Sequence, residues 1–293
     1  MSFISLNFVV LFACTFILYH TLPSRFRKAT LLTASCLFIG FYHLAFLITA
    51  LILTLTTFYL GKWIGQAKRE SGMKGIYFSG VCFLVVSWLA FRYADRLTNC
   101  HILFPLGISF YTFQAISYLT EIYWQEEEPE KSLPDFMIYM LFFMKFLSGP
   151  IERASDMLPQ LKSCKATDYT SMVYGMRLIV VGLIKKLILA DSIAPYIDGV
   201  FGSVYTASGV QLLMACLLYP IELYADFSGY TDIALGGARM LGFKLSPNFN
   251  RPFIAQTTAD FWRRWHMSLS FWVRDYLYLP CLLYTSPSPR DRG

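Results

Sequence analysis

Residues 29–61, ATLLTASCLFIGFYHLAFLITALILTLTTFYLG, run for 33 positions without an Asp, Glu, Lys or Arg. A helix rises about 1.5 Å per residue and the hydrocarbon layer of a bilayer is about 30 Å thick, so about 20 residues cross it. The stretch is too long for one upright crossing and reads as two short or tilted helices that turn near Gly40 to His43. Arg25, Arg27 and Lys28 precede it, and Lys62, Lys68, Arg69 and Lys74 close and follow it. A hairpin leaves both basic clusters on one side, which the excess of Lys and Arg in cytoplasmic loops makes the inner one, with the N-terminus outside. One long crossing with an interfacial segment is the alternative.

The whole chain has the same character. Its 293 residues are 56% hydrophobic, 17% aromatic and 15% charged, with a mean hydropathy of +0.47, which excludes an ordinary soluble domain and predicts an all-α multi-pass membrane protein. Phe3 to Leu22 is a first uncharged span, and it ends at Leu22-Pro23 with no small-residue cleavage pattern, so it reads as retained. The net charge of +6 sits beside the spans, where it meets membrane lipid and carries no signal for nucleic acid. The seven cysteines form no Cys-x-x-Cys pair. Cys14, Cys36, Cys82 and Cys216 lie in apolar runs and read as small buried hydrophobes, with no metal set.

Further apolar segments follow at Gly75 to Phe91 and at Ile102 to Thr120, the latter interrupted at Pro105-Leu-Gly107, where a kink is expected. Glu126, Glu127, Glu128 and Glu130, with Pro129, read as a solvated loop. Phe136 to Leu147 is apolar apart from Lys145, which is expected to snorkel toward headgroups. The chain then breaks at Ser148-Gly-Pro-Ile-Glu-Arg153, and a short interfacial segment is expected over Ser155 to Leu161. Ser171 to Ala190 reads as a span with basic residues near its end, and Val210 to Tyr224 as another closed by Asp226. Residues 1–280 read as one membrane domain. Residues 281–293, CLLYTSPSPRDRG, differ from everything upstream and read as a non-native tail that replaces a truncated C-terminus.

The densest chemistry lies in residues 260–275, DFWRRWHMSLSFWVRD. Helical spacing places Trp262, Trp265, His266, Leu269, Trp272 and Val273 on one face, with Arg263, Arg264, Ser268 and Arg274 on the other. An imidazole among tryptophans is desolvated and held neutral, the form that a general base needs. On spacing alone, a histidine on an apolar face is more often a packed core residue than a catalyst. Asp226, Ser228 and Asp232 in YADFSGYTD (224–232) either cap a helix or line a cavity. Asn248 and Asn250, in the proline-bracketed PNFNRPF (247–253), either order a loop or bind a polar ligand. Arg263 and Arg264 either hold the phosphates of a donor or meet lipid headgroups.

In order, FFMKFLSGPIER (142–153), YADFSGYTD (224–232), NFNRP (248–252) and FWRRWHMSLS (261–270) resemble the membrane-bound O-acyltransferase family. The alginate O-acetylation branch is the more similar, because WRRWH (262–266) leads into RDYLYLP (274–280). The resemblance implies a ring of tilted and broken transmembrane helices around a central tunnel, in a bacterial cytoplasmic (inner) membrane. It implies acyl transfer, with groups other than aminoacyl moved from acetyl-CoA or another cytoplasmic acyl thioester, and no bound cofactor. The acceptor implied is the hydroxyl of an exported polysaccharide such as alginate, with extracytoplasmic acetylation proteins as partners.

The resemblance assigns His266 one of two catalytic histidines, with Trp262 and Trp265 keeping it dry. It also makes Asp226, Ser228, Tyr230, Asn248 and Asn250 tunnel-lining or substrate-proximal, and Arg263 and Arg264 candidates for the donor phosphates. The second family histidine lies on a later helix and is absent here: the chain has His20, His43, His101 and His266. The chain as it stands is therefore expected to be inactive. D-alanyl transfer to teichoic acid, and a noncatalytic transporter or scaffold, are the competing readings.

Overall fold

The computed structural model describes residues 5–98, 105, 107–147, 149–165 and 167–285, with backbone alone for 94–98 and 283–285. His101, Ser148 and residues 286–293 of the tail lie outside the described residues. Those residues form helices α1 (Leu6–Thr21), α2 (Ser24–Tyr42), α3 (Leu44–Gln66), α4 (Glu70–Thr98) and α5 (Ile108–Tyr123). After them come α6 (Leu133–Leu141), α7 (Ala154–Ser163), α8 (Tyr169–Leu183), a π-helical turn (Ile184–Ala190), α9 (Asp191–Gly202) and α10 (Gly209–Met240). The chain closes with α11 (Thr258–Trp262), α12 (Met267–Val273), a second π-helical turn (Arg274–Tyr278) and α13 (Leu279–Thr285). No strand occurs among the described residues. Leu44–Gln66, Glu70–Tyr93 and Gly209–Met240 are long and apolar enough to cross a membrane.

The uncharged run divides at His43, within the expected turn. His43 is extended (φ −166°, ψ 137°) and its Nδ1 accepts the Ala45 N–H at 3.2 Å, so it ends α2 and caps α3. The chain ends that carry both basic clusters then lie against the loop after α5 and the first turn of α6. Lys28 pairs with Asp135 at 2.7 Å, and Pro129 lies directly against Gly65 at the end of α3. The two clusters thus share one end of the helix array.

Several expectations need correction. At the expected interruption Gly107 is the left-handed cap (φ 73°) from which α5 starts, where an added Cβ would meet the Phe146 carbonyl oxygen at 2.3 Å; residues 99–104, before it, lie outside the described residues. Lys145 does not snorkel: it is 3% exposed, donates to Gln114 Oε1 at 2.5 Å and lies over the Tyr139 ring. In the acidic loop, Glu130 is buried, accepts N–H groups from Lys131 and Ser132 and pairs with Lys162 at 2.7 Å. α10 passes through Asp226 without ending and runs on to Met240. Cys14, Cys82 and Cys216 face outward and Cys36 is half-buried, because apolar residues of a membrane helix need not turn inward.

α8 and α10 pack antiparallel at backbone contact. An added Cβ on Gly182 would meet the Gly229 carbonyl oxygen at 2.5 Å, and one on Gly175 the Gly236 carbonyl oxygen at 2.6 Å. Glycine at each of these four positions is what allows the approach, as in membrane helix pairs generally. Lys185–Asp232 (2.6 Å) and Lys186–Asp226 (2.5 Å) tie the adjoining π-helical turn to α10.

Candidate active site

The expected continuous helix over 260–275 is broken. Thr257 caps α11 by accepting the Asp260 N–H at 3.1 Å, the helix stops at Trp262, and α12 begins only at Met267. Between them His266 adopts a left-handed conformation (φ 41°, ψ 56°). For a residue with a Cβ this costs about 1–3 kcal/mol, so the surroundings must enforce it. They do so through Asn248, whose carbonyl oxygen accepts the Met267 N–H at 2.8 Å and whose Oδ1 accepts the Ser268 N–H at 3.3 Å. One turn earlier, the Asn250 N–H donates to the Arg264 carbonyl at 2.9 Å. Loop ordering is therefore a role of the Asn248 side chain, while Asn250 contributes through its main chain.

The break changes which rings enclose His266. Phe227 of α10 stands edge-on at 4.9 Å between centroids and Phe110 of α5 stacks at 6.1 Å. Trp265 instead packs on Phe249 (5.2 Å) and Phe261 (5.6 Å), and Trp262 is 54% exposed. The ring contacts of the imidazole are thus with Phe227 and Phe110, where the tryptophans were expected. Burial lowers the His266 pKa to about 4, so the ring is neutral at pH 7, and its Nδ1 has no hydrogen-bond partner.

Asp226, Ser228 and Tyr230 sit mid-helix in α10, which rules out helix capping for them. Asp226 turns to Lys186. Ser228 is 1% exposed, and its Oγ is buried with no partner. Arg264 is engaged by Asp260 at 2.9 Å, and Arg263 is exposed, so this turn does not present the two guanidinium groups as one anion clamp.

Sequence reasoning missed a second constellation below α12. A cavity of about 350 Å³ is lined by Met267, Ser268, Phe271 and Trp272 together with Ile151, Arg153 and Ser246. A neighbouring cavity of about 640 Å³, lined by Trp124, Arg153, Arg274, Asp275 and Tyr276, shares Arg153, Arg274 and Tyr276 with it. Asp275 pairs with both arginines, and Tyr276 donates to Glu121. Phe113 packs on Trp272 and Trp124 stacks on Tyr276, so the segment from 266 to 276 runs alongside α5. Phe110 and Glu121 are eleven residues apart on that helix, which places the Tyr276 end of the segment about 16 Å from His266 along its axis. The local signal was the run Arg153, Arg274-Asp-Tyr276, but only the tertiary contacts join its parts.

The model of the MBOAT, membrane-bound O-acyltransferase family matches residues 125–290, which contain all of these segments except α5. The chain belongs to this family. It is 36% identical, over 95% of its length, to "Probable alginate O-acetylase AlgI" of Azotobacter vinelandii, covering 59% of that protein. It is 31% identical, over 87% of its length, to a peptidoglycan O-acetyltransferase of Helicobacter pylori, covering 56% of it. A teichoic acid D-alanyltransferase of Bacillus subtilis is 34% identical over 59% of the chain, with 45% of that protein covered. The chain thus spans less than two thirds of the length of these relatives. The expected family and its likeness to alginate O-acetylases hold.

Proposed function

We propose that the protein is a membrane-embedded O-acyltransferase that moves an acetyl group from a cytoplasmic thioester, such as acetyl-CoA, to hydroxyls of an exported polysaccharide of the alginate kind. The observation that carries this reading is a neutral, buried imidazole with a free ring nitrogen, held in a strained turn within the matched family segment. In the reaction, a hydroxyl gives its proton to a neutral imidazole, its oxygen attacks the thioester carbonyl, the C–S bond breaks and the thiolate departs. His266 assists or relays that proton beside the second histidine that the family resemblance implies. The adjoining cavities suit the arm of a thioester donor entering from the end of the array that carries the basic clusters. We place the chain in the bacterial inner membrane as a ring of helices around a tunnel, with extracytoplasmic acetylation proteins as partners.

Acetyl transfer is favoured over D-alanyl transfer because the acetylase relative matches 95% of the chain and the alanyltransferase 59%. His266→Ala, introduced into the full reading frame and expressed in an acetylation-deficient host, should abolish polymer acetylation while leaving membrane insertion intact. Retained acetylation would make His266 a structural residue.

A further inference from the structure

We infer that Glu152 is a positioning residue for His266, acting through a closed ring of hydrogen bonds that joins three segments distant in sequence; the catalytic part of this inference rests on the acyltransfer reading above. The Ser246 N–H and Oγ donate to the two Glu152 carboxylate oxygens at 2.6 and 3.2 Å. Two residues on, Asn248 accepts the N–H groups of Met267 and Ser268. Ser268 Oγ then accepts the Ile151 N–H at 3.1 Å, and Ile151 is the neighbour of Glu152, so the ring closes.

Glu152 and Asn248 are each 1% exposed and Ser268 is 8% exposed, so these three side chains hold their bonds in the interior, while half-buried Ser246 stands at the cavity wall. A carboxylate suits the corner at Ser246 because it is acceptor-only and meets two donors from one residue. The ring grips the two residues that follow His266, which is where the left-handed turn must be held. Opening the ring anywhere lets that turn relax and moves the imidazole off Phe227 and Phe110.

Three variants of the full-length protein separate this role from simple packing. Ser268→Ala opens the ring at Ile151 without touching a buried charge. Glu152→Ala opens it at Ser246, whereas Glu152→Gln keeps it closed, because the amide oxygen still accepts the Ser246 N–H. The readouts are kcat and KM for acyl transfer, and histidine nitrogen NMR with the His266 signal assigned from His266→Gln. Misplacing a reacting group by about 1 Å costs about 10²-fold, so Ser268→Ala and Glu152→Ala should each lose about 10- to 100-fold in kcat with KM within about threefold.

Glu152→Gln should stay within about fivefold of the parent, and the Ser268→Ala/Glu152→Ala double variant should be no worse than its worse single, since a ring is opened only once. The His266 resonances should shift in both opened variants. Multiplied losses in the double variant, or Glu152→Gln as impaired as Glu152→Ala, would overturn the ring. If Glu152→Ala does not accumulate, Ser268→Ala decides alone, and parental kcat with unmoved His266 signals sinks the inference. A parent protein without acyl transfer would end the enzymatic reading, while the NMR comparison would still decide the ring.

Discussion

Gly182→Ala tests the α8–α10 contact on which the placement of Phe227 depends. The new methyl carbon would stand 2.5 Å from the Gly229 carbonyl oxygen and 2.8 Å from Ile233 Cγ1, where ordinary contact begins at 3.4 Å. The shortfall to the oxygen is about 0.9 Å, and the obstacle is backbone, which cannot rotate away. Overpacking of this size costs about 1–3 kcal/mol. The gain in helix propensity from Gly to Ala returns at most about 1 kcal/mol. The net expectation is a loss of about 1–2 kcal/mol, read as a fall of about 2–8 °C in the melting temperature of the detergent-solubilised protein.

The helices can avoid the clash by parting. Phe227 then shifts with α10, two residues from Gly229, and its contact with His266 at 4.9 Å loosens. Activity should fall about 10- to 100-fold by the same misplacement argument. Gly199→Ala in α9 is the control, because nothing lies within 4 Å of its added Cβ, and it should be neutral or slightly stabilising. A Gly182→Ala protein as stable and as active as Gly199→Ala would refute the reasoning.

Two further outcomes follow from the charges. Burial lowers the His266 pKa to about 4 from an ordinary value of about 6.5. As pH falls, the unfolded chain therefore takes up the proton first, and the contribution of His266 to stability is whole above about 6.5 and is lost between about 6.5 and 4. Melting curves of the parent should thus lose ground to His266→Gln on acidification through that window, and parallel curves would contradict it. Burial raises the Glu130 pKa, but Lys162 and the N–H groups of Ser132 and Lys131 outweigh it, and the carboxylate ends below its ordinary range. Glu130→Ala should destabilise the protein by about 1–3 kcal/mol at neutral pH, measured by thermal unfolding, because those N–H groups lose their acceptor.

Residues 29–61 by themselves favoured a pair of helices over one long crossing and placed the turn within Gly40 to His43, because the signal is local: uninterrupted apolar residues too many for one crossing. The interruption at Gly107 was legible for the same reason, whereas the apolar run to Leu147 hid the end of α6 at Leu141, and the order of the four motifs was enough to point to the family. The sequence also singled out His266, but on the wrong scaffold. Helical periodicity assumes a continuous helix, and only hydrogen bonds from Asn248 and Asn250 decide that the backbone reverses at 266. The same limit explains Lys145 and Glu152. In the sequence they are charges beside an apolar run, and only packing against Gln114, Tyr139 and Ser246 takes them into the interior. Local composition sets which segments become helices. The orientation of His266 is set by Asn248 and by partners on other elements, from Phe227 of α10 to Phe110 of α5, whose contributions exist only once the chain has folded.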